Sequence, residues 1–189
     1  MSASTLYLVS GASGSGKSAI VPLLTERTGF AWHDFDSIGV PAPVPAGWRH
    51  RTLRWWVERL TDAGPSVGLC APVAHGELLA TPGVDRLAAT HACLLDCADE
   101  VRIRRLLRRR KGVDLETLQW AGWLRRHAVD PRHDPFVLTD GSTEEMRWEA
   151  WTERPADDGW EIAVIDTTEL EVDAVADHVA AWVRRCEFG

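Results

Sequence analysis

The sequence predicts a three-layer α/β fold, a five-stranded parallel sheet covered by helices on both faces, with a small helical insertion. Three observations predict it. Five short β-prone apolar runs, at 5–9, 30–36, 67–71, 91–97 and 160–166, alternate with stretches of helical periodicity. The first run leads directly into the glycine-rich loop Gly11-Ala12-Ser13-Gly14-Ser15-Gly16-Lys17-Ser18 and then into a segment able to begin a helix. With 189 residues, 45% of them hydrophobic, the chain can bury one sizeable core. The expected organisation is a single domain spanning 1–189, with its core in 1–111 and 159–189 and a helical lid or insertion at 112–158.

Residues 11–18 fit the phosphate-binding P-loop pattern of glycine, four residues, glycine, lysine, then serine or threonine. Glycines let the backbone curl so that successive N–H groups point at phosphate oxygens, and the following helix adds the positive end of its dipole. The loop amides through Ala19 are thus candidate phosphate donors, Lys17 a mobile charge for β- and γ-phosphates, and Ser18 a hydroxyl ligand for Mg²⁺.

Thr28-Gly29 should stop the first helix. The second run ends in Asp34 and Asp36, and a spacing of two places both on one side if the strand persists that far. Ligands of open α/β sheets bind at the carboxyl ends of strands, which puts these acids near the phosphates; capping the turn before Ser37 explains them as well. After a proline-rich loop at 40–47, a helix at 48–61 carries Arg49, Arg51, Arg54 and Arg59. The third run leads into a loop with His75 and Glu77. Residues 78–87 give no clear pattern. The fourth run precedes a helix at 98–110 with an apolar stripe of Ile103, Leu106 and Leu107, and with six arginines ending in Arg108, Arg109 and Arg110. A solvated face or phosphate binding accounts for that density.

The insertion holds a helix at 115–127, capping-box residues at 142–145 that should open a helix through Trp151, and a closing loop at 155–159. Its tryptophans at 120, 123, 148 and 151 form either packing or an aromatic wall. A second capping box at 168–171 should start the final helix, with Val172, Val175, Ala176, Val179 and Val183 in register.

The formal net charge of −7 argues against nucleic acid or a membrane surface as partner. Cys70, Cys93, Cys97 and Cys186 lack paired metal-ligand spacing and read as buried thiols of a reducing, cytoplasmic setting. No stretch approaches membrane-spanning length.

With the P-loop, the Asp34-x-Asp36 strand end, the arginine helix and the Ile165-Asp166-Thr167-Thr168 finish in place, the chain resembles the P-loop kinases of the nucleoside-monophosphate-kinase-like group, which includes shikimate, gluconate and chloramphenicol kinases. The resemblance covers roughly residues 4–36, 90–111 and 160–185. It implies the three-layer P-loop NTPase fold and an ATP- and Mg²⁺-dependent transfer of the γ-phosphate to a small-molecule hydroxyl or phosphate. It further implies Asp34 on the metal side with Ser18, and Asp36 at the acceptor as base or orienting group. Two lid arginines four apart would serve the adenine and the transferred phosphate. Arg105 and Arg109 fit, as do Arg104 and Arg108. The third run lacks the acid of a motor-type ATPase. Acceptor contacts are expected among Asp36, Arg49, Arg54, His75 and Arg126, in a monomer or homodimer. A polynucleotide 5′-hydroxyl kinase and a non-catalytic nucleotide-binding regulator are the alternatives.

Overall fold

Alternation along the first strand sets the two faces of the sheet. In β1 (Thr5–Ser10), Leu6 and Leu8 enter one core while Tyr7 and Val9 enter the other. The computed structural model describes residues 3–109, 112–140, 142, 145–154 and 160–188. It places β1 at the centre of a parallel sheet with β2 (Trp32–Asp34), β3 (Ser66–Ala71), β4 (Ala89–Asp96) and β5 (Ile162–Asp166), in the order β2-β3-β1-β4-β5. The register pairs Ser10 with Ala71 on one side and with Leu94 on the other, so the carboxyl ends of these strands share one edge.

On the Tyr7 face pack α1 (Lys17–Thr28) and α8 (Val172–Phe188), which give Ile20, Leu24, Val175, Val179 and Val183 to the core. On the Leu6 face packs α2 (Trp48–Leu60), through Leu53, Trp56, Val57 and Leu60. Full burial of each such aliphatic side chain contributes about 1.5–3 kcal/mol. Gly29 ends α1 in the left-handed region, φ 78°, with its N–H on the Thr25 carbonyl.

The pattern-free stretch 78–87 begins inside α3 (His75–Leu79). After β4 comes α4 (Asp99–Arg108); Arg110 and Lys111 lie outside the described residues. The segment 112–158 contributes α5 (Leu115–Val129), α6 (Phe136–Thr139) and α7 (Glu149–Thr152). Leu124 of α5 packs with Leu94 of β4, so this helix covers the sheet on the same face as α2. The helix expected from the 142–145 capping box through Trp151 forms only at Glu149–Thr152, since residues 145–148 are not helical; residues 143 and 144 and the closing loop 155–159 lie outside the described residues. Among the described residues no helix is long and apolar enough to cross a membrane.

Three local expectations are corrected. The second strand stops at Asp34, because its Oδ1 accepts the Asp36 N–H at 3.1 Å and turns Phe35–Ile38 into a 3₁₀ helix. The last helix begins at Val172 rather than at the Thr168 box. Thr168 instead donates its N–H and hydroxyl to Asp166 Oδ1 and accepts the Ala98 N–H, sealing the turn after β5. The buried face of α4 is also different: Leu107 is 61% exposed while Arg102 is fully buried.

Candidate active site

The P-loop begins where β1 ends and closes at the first turn of α1. Gly14 and Gly16 take φ of 83° and 105°, conformations that L side chains avoid. A Cβ on Gly14 would lie 3.1 Å from Arg102 Cγ, so the loop is also packed tightly on α4. Lys17 Nζ donates to the Gly11 carbonyl and, at 3.1 Å, to the Ala12 carbonyl. Burial pushes the Lys17 ammonium down to about 8, against the opposing pull of Cys70 and Asp36.

Lys17 and Ser18 open onto a small cleft that Asp34, Asp36 and Arg109 also line, with Ser13 on the loop side and Pro72 after β3. The cavity measures about 80 Å³. Two acids, an ammonium, a hydroxyl and a guanidinium therefore converge beside a helix N-terminus, a donor set suited to phosphate and a hard cation. Asp34 and Ser18 fit Mg²⁺ in that they offer hard oxygens beside the glycine-rich loop. Among the described residues no group of three or more acidic, histidine or cysteine side chains gathers into a cage. Magnesium that keeps its waters and phosphate ligands needs no such cage.

A second cavity, about 360 Å³, lies on the other side of Gly16. Ala19, Arg104, Arg105, Arg108, Thr168 and Leu170 line it, and Arg109 borders both spaces. Arg105 is not free to swing: it donates to the Thr167 hydroxyl at 2.9 Å, to the Thr167 carbonyl at 2.6 Å and to the Gly14 carbonyl at 3.4 Å. Arg104 and Arg108 are exposed.

The remaining candidates divide. Arg49 pairs with Glu77 at 2.8 Å and lies 5.0 Å over the Trp120 ring. Arg49 and Arg126 line a third, larger cavity of about 1070 Å³ beside α5. Arg54 sits at the surface between Glu58 and Glu145, away from the cleft. His75 is half-buried against Trp160 with both ring nitrogens shielded, and that desolvation together with His127 pushes it down to about 3, so it is neutral. The tryptophans mainly pack: Trp120 stacks on Trp123 at 5.1 Å, Trp123 on His127 at 4.6 Å, and Trp151 and Trp160 meet His127 edge-on.

Sequence reasoning missed two buried pairs. Arg102, 0% exposed, donates to the Ser13 carbonyl at 2.9 Å and to Asp96 Oδ1, while Arg125 of α5 grips Asp96 Oδ2 and, at 2.6 Å, Asp99. Glu77 is likewise fully buried between Arg49 and His50. An acid ending an apolar strand, as Asp96 does, was the available signal; Glu77 lies in a stretch that reads as a loop and that the structure makes part of α3.

No protein-family model matches the sequence, and no curated protein matches it. Solved structures do match, at low identity. A sugar kinase from Janibacter sp. HTCC2649 aligns over 96% of this chain and 95% of its own, at 18% identity and a TM-score of 0.57. The APS kinase of Mycobacterium tuberculosis, solved with AMPPNP and APS, aligns over 97% and 99% at 17% identity and a TM-score of 0.56. The tunicamycin resistance protein of Deinococcus radiodurans aligns over 95% of both chains at 19% identity and a TM-score of 0.54. Strand order, phosphate-binding loop and near end-to-end likeness agree: this protein has the fold of the small P-loop kinases.

Proposed function

We propose that this chain is an ATP-dependent phosphotransferase that moves the γ-phosphate to a hydroxyl or phosphate group of a small molecule. The observation that carries the proposal is the convergence of Lys17, Ser18, Asp34, Asp36 and Arg109 on one cleft at the carboxyl edge of the sheet. Phosphoryl transfer asks little covalent work of a protein; alignment and charge stabilisation suffice. The P-loop amides and Lys17 hold the β- and γ-phosphates. The cavity walled by Arg104, Arg105 and Thr168 takes the nucleoside, and Arg109, bordering both spaces, reaches the phosphoryl group in transfer. Ser18 and Asp34 would hold Mg²⁺, which when bound neutralises phosphate charge. Asp36 orients the acceptor hydroxyl and takes its proton late.

The test is ATP turnover by the purified chain. A kinase hydrolyses ATP slowly with Mg²⁺ and without acceptor; Lys17→Ala and Asp36→Asn should each lower this leak at least tenfold. Tight ATP binding with no turnover, against any acceptor, would instead make the chain a nucleotide-binding regulator.

A further inference from the structure

The cavity of about 1070 Å³ shares no lining residue with the cleft at Lys17, but two of its walls tie back to that cleft through hydrogen bonds. Arg49 holds Glu77, whose carboxylate accepts the Ala74 N–H just past Pro72 of the cleft. Arg125 holds Asp96, which holds Arg102, which donates to the carbonyl of Ser13 of the cleft. The space thus flanks the same carboxyl edge of the sheet. Its volume lies just above the range, about 300–1,000 Å³, of pockets that hold drug-sized ligands.

Its lining combines apolar side chains with four acids, Asp99, Asp114, Glu116 and Asp134, and three arginines. Leu115, 68% exposed, and Val137, 46% exposed, leave aliphatic surface at the cavity with Leu118, and Trp120 and Trp123 supply ring edges. Two of its three arginines are already neutralised: Arg49 by Glu77, and Arg125 by Asp96 and Asp99. The remaining charges are Asp114, Glu116 and Asp134 against Arg126. Asp114 caps α5 through the Thr117 N–H and keeps its charge. The charges left unpaired, three acids to one arginine, disfavour an anion. They do not disfavour an amine or an uncharged body.

We infer that this cavity holds the body of the phosphate acceptor, and that the acceptor is a bulky, ring-bearing alcohol that is neutral or amine-bearing, not a sugar acid or a phosphorylated compound. The inference rests on the kinase reading above. In the step itself the acceptor oxygen bonds to the γ-phosphorus as the bond to the β–γ bridging oxygen breaks. ADP leaves with that electron pair, and the hydroxyl proton passes to Asp36.

Three alcohols on one scaffold separate the charge types: biphenylalaninol, its N-acetyl derivative and biphenyl-lactate, the amine, neutral and carboxylate forms. Calorimetric titration at pH 8 should find the amine and neutral forms binding at least tenfold more tightly than the carboxylate. In Glu116→Lys/Asp134→Lys that preference should fall below threefold; the milder Glu116→Gln/Asp134→Asn, which keeps the side-chain shapes, should halve it or more. Carboxylate binding as tight as that of the amine, a preference unchanged in both variants, or no binding of any form would overturn the inference. Binding is read apart from turnover. An amine that binds while no phosphate moves would contradict the kinase reading and leave the charge preference standing, whereas Lys17-dependent transfer to sugar acids alone would do the reverse.

Discussion

Arg102 is completely buried and joins the carboxylate of Asp96 to the carbonyl of Ser13, so the end of β4 and the glycine-rich loop are held by one guanidinium. Arg125 grips the other oxygen of Asp96 from α5. Asp96 is therefore a joint between the glycine-rich loop and the helix that walls the large cavity.

Removal of Asp96 should be costly because it leaves a buried cation without its counter-charge. Asp96→Ala should lose about 3–5 kcal/mol of stability, the range for a broken buried pair. Arg125→Ala, which removes a partly exposed partner that also holds Asp99, should lose about 1 kcal/mol or less. Urea unfolding of both variants checks the contrast; equal losses would contradict the central place of Arg102.

The two loop glycines should respond differently. Gly16→Ala meets open space and bears only the strain of its positive φ, about 1–3 kcal/mol. Gly14→Ala adds tight contacts with Arg102, at 3.1 Å, and Leu106, at 3.3 Å, which must give by a few tenths of an ångström, and should be the less stable of the two. Thermal unfolding reads the difference, and ATP affinity should fall in both.

Lys17, held down to about 8, should make triphosphate binding pH-dependent. Below pH 8 the ammonium is charged before ATP arrives. Above it, ATP must draw a proton onto Lys17, so affinity should fall up to tenfold per pH unit as pH rises past 8, with proton uptake on binding. Calorimetry at pH 8.5 in buffers of differing ionisation enthalpy measures that uptake; Lys17→Ala should abolish it.

Glu77 is pushed up by burial, but Arg49 and His50 outweigh burial and hold it below the ordinary carboxylate range. A lowered folded-state value means stability that is present at neutral pH and is lost as acid takes the group through that value. Glu77→Gln should therefore unfold more readily at pH 7 and show a shallower loss of stability on going to acid. An unchanged slope in acid urea titrations would contradict this.

Much of the framework was legible in the residues. β1, the P-loop and α1 follow from a local pattern, and the five apolar runs became the five strands because parallel strands buried on both faces read as continuous hydrophobic runs. What was not legible depended on contacts distant in sequence. Arg102 looks like its neighbours Arg104 and Arg108 until Asp96 and the Ser13 carbonyl turn it inward. Asp34 ends its strand through one short-range hydrogen bond that alternation cannot reveal. The tryptophans of α5 align because His127 and Arg49 close the two ends of their stack. For the same reason, the cleft that gathers Asp34, Asp36 and Arg109 around Lys17 was only partly foreseeable, and Arg54 and His75 were not separable from Arg49 and Arg126 by spacing alone.

The central claim is that phosphate leaves ATP for an acceptor at Asp36. Its most direct test supplies ATP radiolabelled at the γ-position, Mg²⁺ and a panel of alcohols, sugar acids and oligonucleotides to the wild-type chain and to Asp36→Asn. Label should move onto a small hydroxyl compound with wild type and at least a hundredfold more slowly with Asp36→Asn. Label moving onto oligonucleotides, or equally fast in both chains, would contradict the claim.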